Sequence, residues 1–340
     1  VRDIPLIRLL LENQYEVIVG ADGLPAEFLK TEFPELRFVK FRSFPIKYSK
    51  KLPFGIKIIL QTPKIFFGIF NEHRILKKIC FEIQPDLIIS DNRYGAYAEE
   101  IASILITHQL FPKLPKFLAF AETFFARRLH KFIERFDLCM IPDAKDGPNI
   151  SGSLSHGFEL KFKTLFVGPI SRFENQISKT NGNYDLAVIL SGPEPQRTIL
   201  ENIILAQISE TELRAIVVGG KSGNSEIRKI GNIDYADRLS SKETENLIFQ
   251  TPVIIARAGY TSIMDFIKLK KSAILIPTPG QSEQEYLAQY LEKSGLFQTY
   301  KQNEINLSKA IKVFLNFKPK FVNLAFRQEL FLNEIKKLIL

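Results

Sequence analysis

Short apolar runs alternate with longer stretches in which an apolar residue recurs every three or four positions. Runs of strand length fall at residues 16–19, 36–41, 86–90, 104–107, 138–141 and 164–167. Between them the helical spacing predicts helices over 4–11, 25–32, 54–83 and 117–136. After Gly168-Pro169 the rhythm restarts. Strands are expected at 185–190, 214–218, 253–256 and 273–277, and helices at 196–207, 241–249, 261–269, 283–294, 304–314 and 321–338. Strands that alternate with helices imply parallel sheets covered by helices on both faces. The polar, Asn- and Ser-rich stretch 171–184 reads as a linker. The expected fold is therefore α/β, with two Rossmann-like domains facing each other across a cleft. The first spans 1–168 and the second 185–318, joined by 169–184, with a final helix in 319–340 that crosses back.

Composition narrows this picture only a little. The 340 residues are 45% apolar and 24% charged, ordinary for a folded protein. A net charge of +9 favours an anionic partner without naming it. Two cysteines, Cys80 and Cys139, form neither a metal spacing nor a disulfide framework, which points to the reducing cytoplasm. The greasiest stretch, 56–70, is broken by Lys57, Pro63 and Lys64 and is too short to span a bilayer. The chain opens at Val1 directly on a helical pattern, where an α/β domain is expected to open with a strand and a loop. A further segment upstream is therefore expected, and the chain as given is expected to be poorly stable or inactive without it.

In open α/β sheets ligands sit at the carboxyl ends of strands, so the residues just after strands carry the chemistry. The most informative stretch is 254–265, an apolar run that passes through Arg257-Ala258-Gly259 into a helix. Its first turn offers unpaired N–H groups at the positive end of the helix dipole, which suits a phosphate. Thr261 and Asp265 share one face, so the carboxylate can accept hydrogen bonds from sugar hydroxyls one turn deeper. The alternative is an ordinary strand-to-helix turn with an acid near the dipole. Two further loops favour the ligand: Ser191-Gly192, with Arg197 near the following helix start, and 277–285, whose Gln284 and Glu285 can reach the same crevice. The three loops are expected to converge on one anion. Gly219-Gly220-Lys221-Ser222-Gly223 lacks the P-loop spacing and reads as a flexible surface turn.

In the first half, Asp91 and His108 each follow a strand and are candidate general bases, with turn-capping as the alternative. His73, His130 and His156 have no partner at metal spacing, so no metal site is expected. Basic residues from Arg37 to Lys78 are interleaved with aromatic ones. The stretch is either a solvated face over a core helix or a membrane-facing surface centred on Lys47, Lys50, Lys51 and Lys57. No nucleic-acid-binding pattern accompanies it.

These residues resemble those of GT-B glycosyltransferases, and in particular enzymes similar to the MurG type, with a family 28 C-terminal domain. The run from Arg257 through Gly259 and Ser262 to Asp265 matches the family's donor loop, with Asp in place of Glu. Pro277 to Gln284 and Glu285 match a later Pro-to-Gln-Gln run, with Glu in place of the second Gln. Gly168-Pro169-Ile170-Ser171-Arg172 is similar to the domain-joining segment, and Ser191-Gly192 to a Gly-rich loop. The resemblance implies that Arg172, Ser191, Gly192, Arg257, Gly259, Thr261, Ser262, Asp265, Gln284 and Glu285 bind a UDP-sugar donor. It implies an inverting hexosyltransferase without metal or other cofactor. N-acetylglucosamine is the expected sugar, a lipid-linked molecule the acceptor, and the cytoplasmic membrane face the location, with no nucleic acid involved. The family's N-terminal Gly-Gly-His loop has no counterpart here, so the base would lie upstream of Val1. A UDP-sugar hydrolase or epimerase of the same fold, or a non-catalytic sugar-nucleotide-binding protein, is the alternative.

Overall fold

The structure is a computed structural model that describes residues 2–42, 54–174, 183–221, 223 and 226–340; within 54–66 it describes no side chain but that of Lys64. The chain divides into two units. One takes the described residues up to Arg42, Gly55 to Ile170 and Leu324–Leu340; the other takes Ser171–Asn323.

The first unit runs α1 (Asp3–Glu12), β1 (Ile18–Ala21), α2 (Gly23–Glu32), β2 (Arg37–Lys40), α3 (Phe54–Ile83), β3 (Leu87–Asp91), β4 (Ala102–Ile106), α4 (Glu122–Ile133), β5 (Leu138–Ile141) and β6 (Thr164–Phe166). All its strand pairs are parallel, but they form two sheets, β1-β2 and β3-β4-β5-β6. Alternation along the strands decides what each face buries. Leu105, Cys139 and Ile141 pack with Ile133 of α4, whereas Ile88 packs with Leu76 and Cys80 of α3. Ile4, Ile7, Val19, Leu29 and Phe33 form a separate cluster around β1.

The second unit contains β7 (Leu186–Ile189), α5 (Gln196–Ile208), β8 (Ala215–Val218), β9 (Arg228–Ile230), β10 (Ile233–Ala236), α6 (Ser241–Gln250), β11 (Val253–Ala256), α7 (Tyr260–Lys268), β12 (Ile274–Leu275), α8 (Ser282–Lys293), β13 (Gln298–Thr299) and α9 (Leu307–Leu315). Its sheet has the order β13-β12-β11-β7-β8-β10-β9. Leu186, Val188, Val217, Tyr235 and Ile255 face the apolar stripes of α5 and α9. Ala187, Ile216, Val218 and Ala236 face Leu247 of α6. Period-two burial on both faces is the signature of a sheet covered on each side. Each fully buried Leu or Ile here contributes about 1.5–3 kcal/mol.

Three expectations change. The sheet is not wholly parallel, because β9 pairs antiparallel with β10 across the turn at Gly231, whose φ is +61°. The helix expected from 304 starts at Leu307, since Asn306 accepts the Lys309 N–H at 3.0 Å and caps it. The last helix, α10 (Gln328–Ile339), starts later than 321. Before it, the Arg327 N–H donates to the Val167 carbonyl at 2.7 Å and the Ala325 backbone lies against Gly168, so this backbone bonds the strand end rather than its own turn. Among the described residues no helix is long and apolar enough to cross a membrane.

Candidate functional site

In the second unit β7 lies between β11 and β8, so the strand order reverses there. A crevice opens at the carboxyl ends of strands at such a switch point. The loops after β7, β11 and β12 bring Ser191-Gly192, Arg257-Ala258-Gly259 and 276–281 to this edge.

Arg257 is engaged by the protein itself. It is 1% exposed and donates to the carbonyls of Gln196 (2.6 Å), Ile276 (3.2 Å) and Pro277 (3.3 Å) and to Gln302 Oε1 (2.7 Å). Burial lowers its pKa to about 10. The guanidinium fork brackets the start of α5 to the loop after β12, which is the geometry that favours Arg over Lys. Its role is to hold two of the three loops together.

Gly259 begins α7 with no side-chain cap, and a Cβ built on it would meet open space. The backbone there is extended, and Thr261 and Ser262 of the first turn are half-buried. Behind them Asp265 is 3% exposed. Ser171 Oγ donates to its Oδ1 at 2.6 Å, and Arg172 Nε lies 3.3 Å from Oδ2. Burial raises the Asp265 pKa against the opposing charge of Arg172 and the Ser171 hydrogen bond. The structure thus brings Arg172 and Asp265 together and adds Ser171, whose role the sequence pattern left unread.

Gly192 has a φ of +96°, and Thr278 Oγ1 lies 3.7 Å from where its Cβ would be. The loops after β7 and β12 therefore meet. Gln284 is buried and accepts the Thr278 N–H at 2.9 Å, while Glu285 accepts the Gly280 N–H at 2.8 Å. Both side chains shape the loop rather than project freely from it. Ser191 is half-buried, and Thr278 Oγ1, Gln281 Oε1 and Ser282 Oγ are buried without a partner among the described residues. Buried polar atoms of this kind mark a place where a polar ligand or water completes the bonding.

The Gly219-Gly220 turn is packed rather than loose. A Cβ on Gly219 would meet Tyr235 Oη, and one on Gly220, at φ +64°, would meet the Leu190 carbonyl. Arg197 Nη1 donates to the Gly219 carbonyl at 2.8 Å, and Lys221 reaches Glu201 at 2.8 Å. The cation expected at the Ser191 loop is thereby engaged: Arg197 pairs with Glu194 and Glu201. Ser222 lies outside the described residues.

In the first unit Arg2 joins the two candidate bases. Its Nε donates to Asp91 Oδ1 at 2.5 Å, and its Nη1 lies 3.3 Å from His108 Nδ1. An imidazole nitrogen facing a guanidinium can only accept, so the His108 proton sits on Nε2. Asp91 is held below the usual carboxylate range: burial opposes this, but the Arg2 charge and hydrogen bond and the Asp3 proton outweigh it. Asp3 is pushed up to about 7, first by burial and then by the Asp91 charge.

Among the described residues no group of three or more His, Cys, Asp or Glu is placed to hold a metal ion. Lys47, Lys50 and Lys51 lie outside the described residues, as does the Lys57 side chain. The described part of that stretch exposes Lys64, Phe67 and Phe70.

Residues 204–338 match the glycosyltransferase family 28 C-terminal domain. Over 291 residues the chain is 23% identical to a Staphylococcus aureus (strain MRSA252) UDP-N-acetylglucosamine–N-acetylmuramyl-(pentapeptide) pyrophosphoryl-undecaprenol N-acetylglucosamine transferase, covering 81% of this chain and 74% of that one. Among solved structures it is similar to the glycotransferase of kitacinnamycin (TM-score 0.63, 13% identity, 93% and 86% of the two chains). It is also similar to a glycosyltransferase of Streptomyces sp. SF2575 complexed with thymidine diphosphate (TM-score 0.57, 11% identity, 92% and 85%). The match over 204–338 and the likeness along both units make the chain a glycosyltransferase of the GT-B fold that carries a family 28 C-terminal domain.

Proposed function

We propose that the chain transfers a hexose, N-acetylglucosamine, from a UDP-sugar to a lipid-linked acceptor with inversion at the anomeric carbon. The observation that carries this reading is the buried Asp265, hydrogen-bonded to Ser171 and ion-paired with Arg172, directly behind the uncapped start of α7. In the reading, the diphosphate rests on the N–H groups from Gly259 onward. These groups and the helix dipole stabilise the leaving charge without a metal. The nucleoside ribose approaches Asp265, Thr261 and Ser262, and the sugar approaches Thr278, Gln284 and Glu285.

The family 28 domain and the Staphylococcus aureus relative support the donor and acceptor classes. By the same likeness the enzyme works at the cytoplasmic face of the membrane as a peripheral protein. The basic, aromatic stretch that exposes Lys64, Phe67 and Phe70 is the proposed contact, together with Lys47, Lys50, Lys51 and Lys57. Each basic side chain near an anionic leaflet adds roughly 1 kcal/mol. Nucleic acid has no part in the reading.

Calorimetry with UDP and UDP-N-acetylglucosamine, followed by transfer of labelled sugar to a polyprenyl-diphosphate-linked acceptor, tests the proposal. Saturable UDP binding with acceptor-dependent transfer is the expected result. Release of free sugar without acceptor would replace transfer by hydrolysis, and absence of UDP binding would remove the donor site. Lys50, Lys51 and Lys57 changed together to Gln should weaken association with anionic vesicles and spare UDP binding.

A further inference from the structure

The donor crevice lies at the carboxyl ends of β11 and β12. At their amino ends the second unit holds a cavity of about 360 Å³. Pro252, ahead of β11, and Ser272, ahead of β12, line it. So do Lys270 and Lys271 after α7, and Phe314, Leu315, Phe317 and Phe321 at and beyond the end of α9. Its volume falls in the range of roughly 300–1,000 Å³ that small-molecule sites occupy. Hydrogen bonds fix the surrounding backbone. Ser272 Oγ donates to the Leu296 carbonyl at 2.7 Å, the Lys320 N–H to the Gly295 carbonyl at 2.9 Å, and the Phe317 N–H to the Phe314 carbonyl at 3.0 Å.

The two lysines are placed in ways that local structure does not require. Lys270 closes α7 at φ +51°, the left-handed position where glycine costs least. Lys271 is half-buried, with its ammonium 5.2 Å from the centroid of the Phe249 ring, and burial pushes its pKa below the usual lysine value. Neither ammonium is paired with a carboxylate among the described residues. Lysines at a helix end commonly offset its dipole. The last α7 carbonyls are already met by backbone, however: Asp265, Phe266 and Ile267 accept the N–H groups of Leu269, Lys271 and Lys270 at 3.2, 3.0 and 3.1 Å.

The neighbouring sequence reinforces the sign. Between Asp265 and Glu283 the chain carries Lys268, Lys270 and Lys271 and no acid. From Ile305 to Asn323 it carries Lys309, Lys312, Lys318 and Lys320 and again no acid. The apolar side of the cavity runs from buried Phe314 through half-buried Phe317 to Leu315 and Phe321, which are 62% and 44% exposed. An inorganic anion would leave this carbon wall wet, and a neutral chain would leave a half-buried ammonium without a counter-charge. We propose that the cavity binds a single-chain anionic amphiphile, with its phosphate or carboxylate against Lys270 and Lys271 and its apolar chain along Phe314, Leu315, Phe317 and Phe321. The site stands apart from the transferase reading, since its residues occupy the opposite strand ends.

Calorimetry of the full chain with dodecyl phosphate, dispersed below its micelle concentration, provides the test. Saturable binding is expected, with dodecanol and inorganic phosphate each weaker by about tenfold or more. Lys270→Gly combined with Lys271→Met should weaken dodecyl phosphate by about tenfold or more. Glycine relieves the backbone at 270, so this variant should melt no lower than the parent, and its UDP affinity should be unchanged. Leu315→Glu, at an exposed position, should also weaken the amphiphile by setting a like charge beside the headgroup. Equal binding by the double variant overturns the proposal, as does inorganic phosphate that binds as tightly as dodecyl phosphate. A parent that does not bind the dispersed amphiphile overturns it too. If that parent still associates with phosphatidylglycerol vesicles through the same lysines, the patch meets a bilayer surface instead of holding one molecule.

Discussion

Each unit buries an aspartate at the carboxyl ends of parallel strands, and the two are neutralised by different means. Asp265 is 3% exposed and faces the Arg172 guanidinium and the Ser171 hydroxyl. Asp143 is 0% exposed and faces backbone N–H groups, the Ser151 hydroxyl and His156. Arginine keeps its charge at any working pH, whereas histidine gains and loses it. The second unit therefore sets a permanent charge against its buried acid, and the first sets backbone donors, a hydroxyl and an imidazole against its own. On the proposed reading only Asp265 touches the donor, and each carboxylate can be removed to test that division of labour.

Asp265→Ala has the largest expected effect. It strips Arg172 of its buried partner, a change that typically costs 3–5 kcal/mol of stability. UDP affinity should fall by roughly 1.5–3 kcal/mol as the ribose loses a charged acceptor. Denaturant unfolding reads the first effect and calorimetry the second. Unchanged UDP binding in a folded variant takes Asp265 out of the donor site.

Asp143→Ala comes next. The Ile150 and Ser151 N–H groups lose their acceptor while still buried, so roughly 2–6 kcal/mol of stability should go, at about 1–3 kcal/mol per orphaned group. Its UDP affinity should match the parent's, because the donor residues belong to the other unit. A drop in UDP affinity equal to that of Asp265→Ala would end the division of labour.

The third effect depends on pH and concerns Asp3, which lies beside Asp91. Its pKa is raised from 3.8 to about 7 by burial and then by the Asp91 charge. Between those values the folded chain keeps a proton that the unfolded chain has released. The difference in bound protons makes stability fall as pH rises through this window. Asp3→Asn cannot release that proton, so its stability relative to the parent should grow between pH 4 and pH 8 by roughly 1–3 kcal/mol. Parallel stability curves for the two proteins would show that Asp3 does not titrate there.

Much of the fold was legible because its signals are local. The short apolar runs at Leu138–Ile141 and Val253–Ala256 and the long helical period of α3 lie where the pattern predicts. What escaped was set by tertiary contact. β10 alternates Ile233 and Tyr235 into one core and Ala236 into the other, but over only four residues. β9 is exposed throughout and exists through its pairing with β10. At the site, the pairing of Arg172 with Asp265 joins residues 93 positions apart, and Ser171 joins Asp265 across 94. His156 read as an isolated histidine because its partner is 13 residues away across an irregular loop. The Gly259-to-Asp265 spacing was readable because a helix fixes it.

The smallest effect separates the two arginines that the sequence placed alike near the donor. Arg172 pairs with Asp265, while Arg257 spends its fork on three carbonyls and Gln302. Arg257→Lys keeps a positive charge but offers a point donor that cannot serve acceptors on α5 and the loop after β12 at once. Stability should fall by roughly 1–2 kcal/mol, the cost of leaving one or two buried carbonyls unbonded. UDP affinity should stay within threefold of the parent's, because the loops remain in place with fewer ties. A tenfold or greater loss of UDP affinity without loss of stability would mean that Arg257 reaches the ligand directly. The bracket of carbonyls would then be a resting arrangement that the donor displaces.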